Sequence, residues 1–192
     1  MHSNERIQKM CIAALLCALG ILVPMISPVR IQLGPMSFTL ASHVALFLAM
    51  FISPTVAAAV ELGTTLGFLL AGFAPVVVLR AASQIVFVLL GAYWVAKQPQ
   101  VMRSPVRMGA YGLILSIVHG ALEAVVVTLF WFGGATMDGS FVSTVLGLVG
   151  VGTVVHSMVD YGIALLIWQP VSRVVRVPVS YRAVRETVSS HS

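Results

Sequence analysis

The sequence predicts an all-α integral membrane protein, a bundle of six transmembrane helices, and three observations support this. Hydrophobic residues make up 59% of the 192 residues, charged residues only 9%, and the mean hydropathy is +1.01; a soluble domain carries about 25% charged residues. The apolar residues form stretches near the roughly 20 residues that a helix needs to cross a bilayer. Basic residues gather between these stretches, so we expect no nucleic-acid binding despite the net charge of +5.

The individual spans follow from measuring each apolar stretch against that length. The first ends at Ser27 without the small-residue cleavage pattern of a signal peptide, so we expect it to be retained. The outer segments 28–37 and 133–141 are short and rich in Gly, Pro and small polar residues, and could form a lid. The six predicted spans are 9–27, 38–53, 55–73, 76–96, 107–132 and 142–169.

The positions of the basic residues predict the orientation of these spans, because Lys and Arg concentrate in cytoplasmic segments. With the N-terminus inside, Arg30 lies outside and Arg80 lies within the fourth span. The other basic residues then all lie inside: Arg6, Lys9, Lys97, Arg103, Arg107, Arg173, Arg176, Arg182 and Arg185. We therefore predict that both termini are cytoplasmic, with a six-helix membrane domain at residues 1–170 and a basic cytoplasmic tail at 171–192.

Ionisable side chains within the predicted spans indicate a polar site inside the bundle. A charged group at the centre of a bilayer costs about 3 kcal/mol or more, so such groups normally face the bundle interior or a cavity. His119 and Glu123 are four residues apart, as are His156 and Asp160, so each pair shares a helix face. The full set is His43, Glu61, Arg80, His119, Glu123, His156 and Asp160.

Arg80 is the candidate anion-binding residue, because a guanidinium matches a carboxylate with two parallel hydrogen bonds. Polar neighbours follow it along the helix, which favours a polar lining over an arginine that extends alone to the interface. Two alternatives stay open: an Arg80–Glu123 ion pair between helices, and an interhelical hydrogen bond from His119 and Glu123 to the sixth span. The predicted substrate-binding residues, around an outward-facing cavity, are Arg80, His43, Ser83, Gln84, His119 and Glu123.

The remaining ionisable residues have a structural interpretation. His156 and Asp160 are predicted to form a satisfied buried pair, with Asp160 toward the cytoplasmic half. Glu61 lies beside small and polar residues and is predicted either to pack or to partner Asp160 or His156. Histidines and carboxylates also suit a transition metal, but we expect no bound metal.

Motifs for catalysis and for nucleotide binding are absent from the sequence. It contains no His-Glu-x-x-His, no Gly-x-Ser-x-Gly and no Walker A pattern. We therefore expect that the chain is not an enzyme, has no cofactor and does not itself bind ATP. One alternative is a membrane enzyme or assembly factor that uses His119, Glu123, His156 and Asp160 at a site away from Arg80. Another is a proton-coupled stand-alone carrier.

Several stretches of the chain resemble the substrate-binding S-components of the energy-coupling factor (ECF) vitamin importers. They are an Ala-x-x-x-Ala pattern at Ala14 and Ala18, followed by Gly20, and the segments 37–54, 62–68 and 79–83. The longest of them, 37–54, is the most specific and is most similar to the niacin and pantothenate members.

The resemblance implies a function and a set of partners. A multi-pass protein of the bacterial cell membrane would capture a carboxylate vitamin from outside, niacin as first choice and pantothenate as second, with Arg80 as its counter-ion. Ala14 and Ala18 would dock on a membrane coupling subunit, since small side chains let helices approach closely. Two ATPase subunits would bind the ATP, and the loaded subunit would tilt to release the vitamin inside.

Overall fold

The computed structural model describes residues 2–33, 36–137 and 139–174 of the chain. These residues are nearly all helical. A 3-10 turn, Pro99–Arg103, precedes the sixth helix, and a π-helical segment, Val142–Val151, leads into the seventh. The helices are α1 (His2–Ile26), α2 (Val44–Ile52), α3 (Pro54–Leu70), α4 (Pro75–Ser83), α5 (Ile85–Lys97), α6 (Pro105–Phe132) and α7 (Gly152–Val174), and the strands are β1 (Arg30–Leu33) and β2 (Met36–Thr39).

The helices confirm a helical membrane protein. Within the described residues, four segments are long and apolar enough to cross a bilayer, and α3 is a shorter apolar helix. The fourth predicted span consists of α4 and α5, which meet at Gln84, and the sixth consists of the π-helical segment and α7. The helix α7 continues past the predicted boundary at residue 170 to Val174, and residues 175–192 of the predicted tail lie outside the described part of the chain.

The second predicted span, 38–53, differs most from the structure, because its helix α2 has only nine residues. At 1.5 Å per residue this helix is about 14 Å long, half of a hydrocarbon core of about 30 Å. Two features of the preceding turn delay the start of α2 until Val44. Ala41 has a left-handed backbone (φ 69°), and the carboxylate of Asp160 accepts the backbone N–H groups of Ala41 and His43.

A β-hairpin covers most of the segment 28–37, which was predicted to be able to form a lid, and the first residues of the second predicted span, so the fold is not purely α-helical. Its strands β1 and β2 are antiparallel, with Arg30 opposite Thr39 and Leu33 opposite Met36. The ring of Phe38 packs edge-on against His156 (centroids 5.4 Å apart) and over Gly152, where a Cβ atom would lie 2.7 Å from the ring. The hairpin is therefore seated on the first turns of α7.

The short helix α2 is the centre of the bundle. Eight of its nine residues are buried, as expected for a helix that is apolar on every side. It packs against α1, α3, α5 and α7, and the rings of Phe47 and Phe51 contact Tyr161 on α7 (centroids 5.2 and 6.3 Å apart). Its N-terminal end at His43 borders a cavity.

The contact between α6 and the π-helical segment depends on Gly120, where a Cβ atom would lie 2.6 Å from the Gly150 carbonyl oxygen. Because overpacking costs about 1–3 kcal/mol, we expect Gly120→Ala to lower the melting temperature of the purified protein in detergent. Gly109→Ala on the same helix, with nothing within 4 Å, is the matched control. It should leave the melting temperature unchanged or raise it through helix propensity. Equal melting temperatures for the two variants would contradict the close contact.

Candidate functional site

A cavity at the N-terminal end of α2 is lined by residues of α1, β2, α2, α3, α4, α6 and α7. Its volume is about 80 Å³, counted as space open to the centre of a water molecule. One water needs about 10–15 Å³ on that scale, so the cavity has room for a small organic molecule. Its lining combines the aromatic rings of Phe38, Phe68 and Phe73 with polar side chains, Arg80 and Glu123 among them.

The first polar cluster surrounds the carboxylate of Glu123. Arg80 donates to its Oε2 from Nη2 at 2.7 Å, and the hydroxyl of Thr153 donates to the same oxygen at 2.7 Å. The side-chain amide of Gln84 donates to Oε1 at 3.4 Å, and His119 Nε2 faces Oε1 at 3.3 Å. Three donors, one of them a guanidinium, bond this carboxyl group, so we assign it as ionised and paired with the arginine.

The second polar cluster surrounds the carboxylate of Asp160, which is fully buried. It accepts the backbone N–H of Ala41 at 2.8 Å and of His43 at 2.9 Å. His43 Nδ1 lies 3.1 Å from its Oδ2, and the Ser42 hydroxyl and His156 Nε2 lie 3.4 Å away. Asp160 thus places a negative charge at the N-terminal end of α2, where the helix dipole favours one.

Gln84 joins the two clusters. Its amide nitrogen lies 3.4 Å from Glu123 Oε1 and 3.3 Å from His43 Nε2. An amide nitrogen carries two hydrogens and accepts none, so His43 Nε2 is the acceptor. The ring proton of His43 is then on Nδ1, where it is donated to Asp160. His43 is therefore a neutral imidazole in this arrangement.

The structure brings four of the six predicted substrate-binding residues to the cavity: His43, Arg80, Gln84 and Glu123. His119 lies behind them, fully buried, stacked on Phe87 with centroids 4.4 Å apart. The Ser83 hydroxyl donates to the carbonyl oxygen of Arg80 at 2.7 Å, so it is satisfied on its own helix and does not line the cavity. Of the alternatives for Arg80, the structure has the ion pair with Glu123.

Comparison with known proteins identifies the family. The chain is 41% identical over 163 residues to the niacin transporter NiaX of Lactococcus lactis subsp. cremoris, and the alignment covers 84% of this chain and 73% of that protein. This chain belongs to the NiaX family. The predicted resemblance to the niacin members is thereby confirmed. No protein-family profile matches the chain, and no solved structure matches it.

The placement of Asp160 in this NiaX-family chain differs from the prediction. The sequence placed it toward the cytoplasmic half, but it contacts the turn at residues 41–43 beside the cavity. His43, which was predicted to line the outward-facing cavity, and Asp160 therefore lie at the same level of the bundle, with Nδ1 and Oδ2 3.1 Å apart. Glu61 accepts a hydrogen bond from Thr65 at 3.1 Å on its own helix, which agrees with a packing role.

Sequence analysis missed several residues of the cavity. The sequence had a weak signal for Ser42, which is the polar neighbour of a predicted site residue. For Thr153 there was no signal in the sequence, because only the packing of α7 on α6 brings its hydroxyl to Glu123. His156, predicted as half of a buried pair, also lines the cavity. The three phenylalanines looked like ordinary apolar residues of a membrane helix or loop.

Two sets of side chains have metal-ligating atoms within 4.8 Å of one another, and His43 belongs to both. The atoms that face each other already lie at hydrogen-bond or ion-pair distance, as in the 3.1 Å contact between His43 and Asp160 and the 3.3 Å contact between His119 and Glu123. We therefore assign them to the hydrogen-bond network. The sets are His43, His119 and Glu123, and His43, His156 and Asp160.

The role of Asp160 in starting α2 can be tested by removing its carboxylate. Asp160→Ala leaves the N–H groups of Ala41 and His43 without their acceptor, and each buried unsatisfied group costs about 1–3 kcal/mol. We expect a large fall in melting temperature in detergent. Asp160→Asn keeps one carbonyl oxygen as acceptor, so its melting temperature should fall less. If the alanine variant melted no lower than the asparagine variant, the carboxylate would not hold this turn.

Proposed function

We propose that this chain is the niacin-binding S-component of an ECF importer in the bacterial cell membrane, where it is a multi-pass transport protein and not an enzyme. The observation that supports this best is the 41% identity to a protein named as a niacin transporter. The cavity supports it independently, because it is small and is lined by a buried arginine, 7% exposed, together with three aromatic rings. Pantothenate, the second choice from the sequence, has no comparable support.

Nicotinate has the chemistry that this cavity would recognise. Its carboxylate would bind the guanidinium of Arg80, and its flat ring would pack among Phe38, Phe68 and Phe73, since aromatic rings favour stacked and edge-on contacts. Ser42 and His156 line the same cavity and could bond the ring nitrogen. The hairpin that carries Phe38 would cover the ligand.

The enzyme alternative required His119, Glu123, His156 and Asp160 to form a site away from Arg80. Glu123 instead bonds Arg80 directly at 2.7 Å, and Gln84 joins Glu123 to the His43–Asp160 cluster. The polar residues thus form one network around one cavity. That arrangement favours ligand capture over a separate catalytic site.

The proposed topology has six crossing segments, with both termini in the cytoplasm, as the basic residues predict. In this topology the second crossing consists of the entry turn at residues 40–43 and the nine-residue α2. A short helix here leaves the outer half of the bundle open for the cavity. The opening would then face outward, toward the vitamin supply.

The proposed partners are a membrane coupling subunit and two ATPase subunits, which would bind ATP in place of this chain. Ala14 and Ala18 are both exposed on α1, and only 17% of the apolar part of that helix is buried inside the bundle. A helix with an uncovered small-residue face suits close approach by another membrane helix. We assign this face to the coupling subunit.

Tryptophan on this face should block docking. We expect Ala14→Trp and Ala18→Trp to abolish nicotinate uptake in cells while the purified variants still bind nicotinate, because the cavity lies elsewhere. Leu19→Trp, roughly 100–140° around the helix from both alanines and also exposed, is the control and should retain uptake. Equal loss of binding and uptake would show that the face is internal packing.

Substitution of Arg80 tests the anion-binding role. Lysine keeps the charge but loses the two-pronged contact, and alanine loses both, so affinity for nicotinate should fall in the order Arg, Lys, Ala. A charged hydrogen bond contributes about 1.5–3 kcal/mol, which predicts a loss of about 10-fold to 150-fold for Arg80→Ala. Isothermal titration calorimetry measures this loss of affinity.

Nicotinamide is the control ligand for the titration of the Arg80 variants. It has the same ring and no carboxylate, so it should bind the wild-type protein weakly and change little on Arg80→Ala. If nicotinate and nicotinamide lost equal affinity while the variant stayed folded, Arg80 would be structural. ATP-independent net uptake by vesicles that contain this chain alone would support the stand-alone carrier instead.

A further inference from the structure

Glu123 occupies the place on Arg80 that a substrate carboxylate would take. Its Oε2 lies 2.7 Å from Arg80 Nη2, and both residues line the cavity while being 2% and 7% exposed. A guanidinium binds the carboxylate of a glutamate and of an aromatic acid through the same contact. The side chain and a bound anion therefore compete for one arginine.

The charges around the cavity leave little capacity for another anion. Arg80 is balanced by Glu123, and the carboxylate of Asp160 has backbone N–H groups and a neutral His43 as partners. His156 Nε2 lies 3.1 Å from the Ser42 hydroxyl, which can donate to it. With neutral imidazoles the cluster carries one excess negative charge before any ligand binds.

An anionic ligand would add a second excess negative charge in a site that is largely shielded from water. Unbalanced charge there is strongly unfavourable. Protonation of Glu123 offsets the charge that the ligand adds, so the cluster returns to one excess negative charge, and at the same time frees Arg80, because a neutral carboxyl group is a weak partner for a guanidinium. Uptake of one proton therefore makes Arg80 accessible to the ligand and offsets the charge that the ligand brings.

The neighbours of Glu123 can accommodate its protonated form. His119 Nε2 lies 3.3 Å from Glu123 Oε1, and His119 Nδ1 lies 3.3 Å from the hydroxyl of Ser157. A neutral imidazole has one donor and one acceptor nitrogen, and a hydroxyl can donate or accept. If the ring proton moves to Nδ1 and is donated to Ser157, Nε2 can accept a hydrogen bond from a protonated Glu123.

We propose that nicotinate displaces Glu123 from Arg80 and that Glu123 takes up one proton as the substrate carboxylate replaces it. This inference rests on the proposed niacin-binding function. The nicotinate anion and one proton from solvent enter the site together, so the protein binds the equivalent of the neutral acid. The Arg80–Glu123 pair closes the arginine to anions until both are supplied.

The titratable and charged groups that face Glu123 come from four helices. Arg80 lies on α4 and His119 on α6, one turn before Glu123. His43, at the start of α2, is joined to Glu123 through Gln84, and α7 contributes His156 and Asp160 beyond His43. From α5, the uncharged ring of Phe87 stacks on His119. Among these groups, Glu123 is the carboxylate bonded to Arg80, so the exchange assigns the proton to it.

Calorimetry of the full-length protein in detergent measures the proton directly. Titration with nicotinate at one pH, in buffers of different ionisation enthalpy, should show uptake of about one proton per nicotinate bound. The dissociation constant should accordingly rise about tenfold per pH unit between about pH 6 and pH 8, where nicotinate itself stays an anion. Binding is then tighter at low pH, since the bound state holds the extra proton.

Two substitutions separate Glu123 from other buried carboxyl groups. Glu123→Gln cannot take up the proton, so its uptake should be near zero and its dissociation constant independent of pH, with binding at about pH 8 at least as tight as in the wild type. Glu61→Gln is the control, because Glu61 is also buried but accepts from Thr65 away from Arg80. It should still take up about one proton.

Each outcome decides the proposal. Nicotinate binding by the wild type without proton uptake, or continued uptake by Glu123→Gln, would overturn it while leaving the niacin-binding function intact. Absence of nicotinate binding by the wild type under every condition would overturn the function itself. If Glu123→Gln does not fold, the infrared difference spectrum of the wild type with carboxyl-labelled nicotinate decides: a new protonated-carboxyl band is expected, and its absence would overturn the proposal.

Discussion

The carboxylate of Asp160 ties α7 to the turn at residues 41–43, and much of the site depends on this contact. It accepts two backbone N–H groups of the turn and faces the ring of His43. Asp160 is fully buried and the turn is half-buried, so water is a poor substitute for these bonds. The contact starts α2 at Val44, and the short helix that results leaves space for the cavity.

The need of buried polar groups for hydrogen-bond partners also explains why the polar residues form one network. The buried charges around the cavity are matched by an opposite charge or by hydrogen-bond donors, as Glu123 is by Arg80 and Thr153. Gln84 then fixes the proton position on His43 through its two donor hydrogens. In the proposed exchange at Arg80, a ligand that enters this network replaces one of its members, Glu123.

The class of protein was predicted correctly from the sequence. Hydropathy is a sum over local residues, so it located α6 within two residues of each end and the C-terminal end of α1 within one residue, although α1 begins seven residues before the predicted span. The rarity of ionisable groups in membrane spans selected Arg80, His43 and Glu123 as candidate site residues, and Gln84 was added as a polar neighbour of Arg80; all four line the cavity. Ser83 was included because it neighbours Arg80, although its hydroxyl bonds to its own helix.

The sequence by itself determined that the chain is a helical membrane protein with a buried polar site, because composition and the cost of charge in lipid are local properties. Only the tertiary structure decided the partners of each polar group. Thr153 and Glu123 are distant in sequence, as are Asp160 and Ala41, and their contacts arise when α7 packs on α6 and α2. The late start of α2 has the same cause, since the acceptor for its first N–H groups comes from another helix.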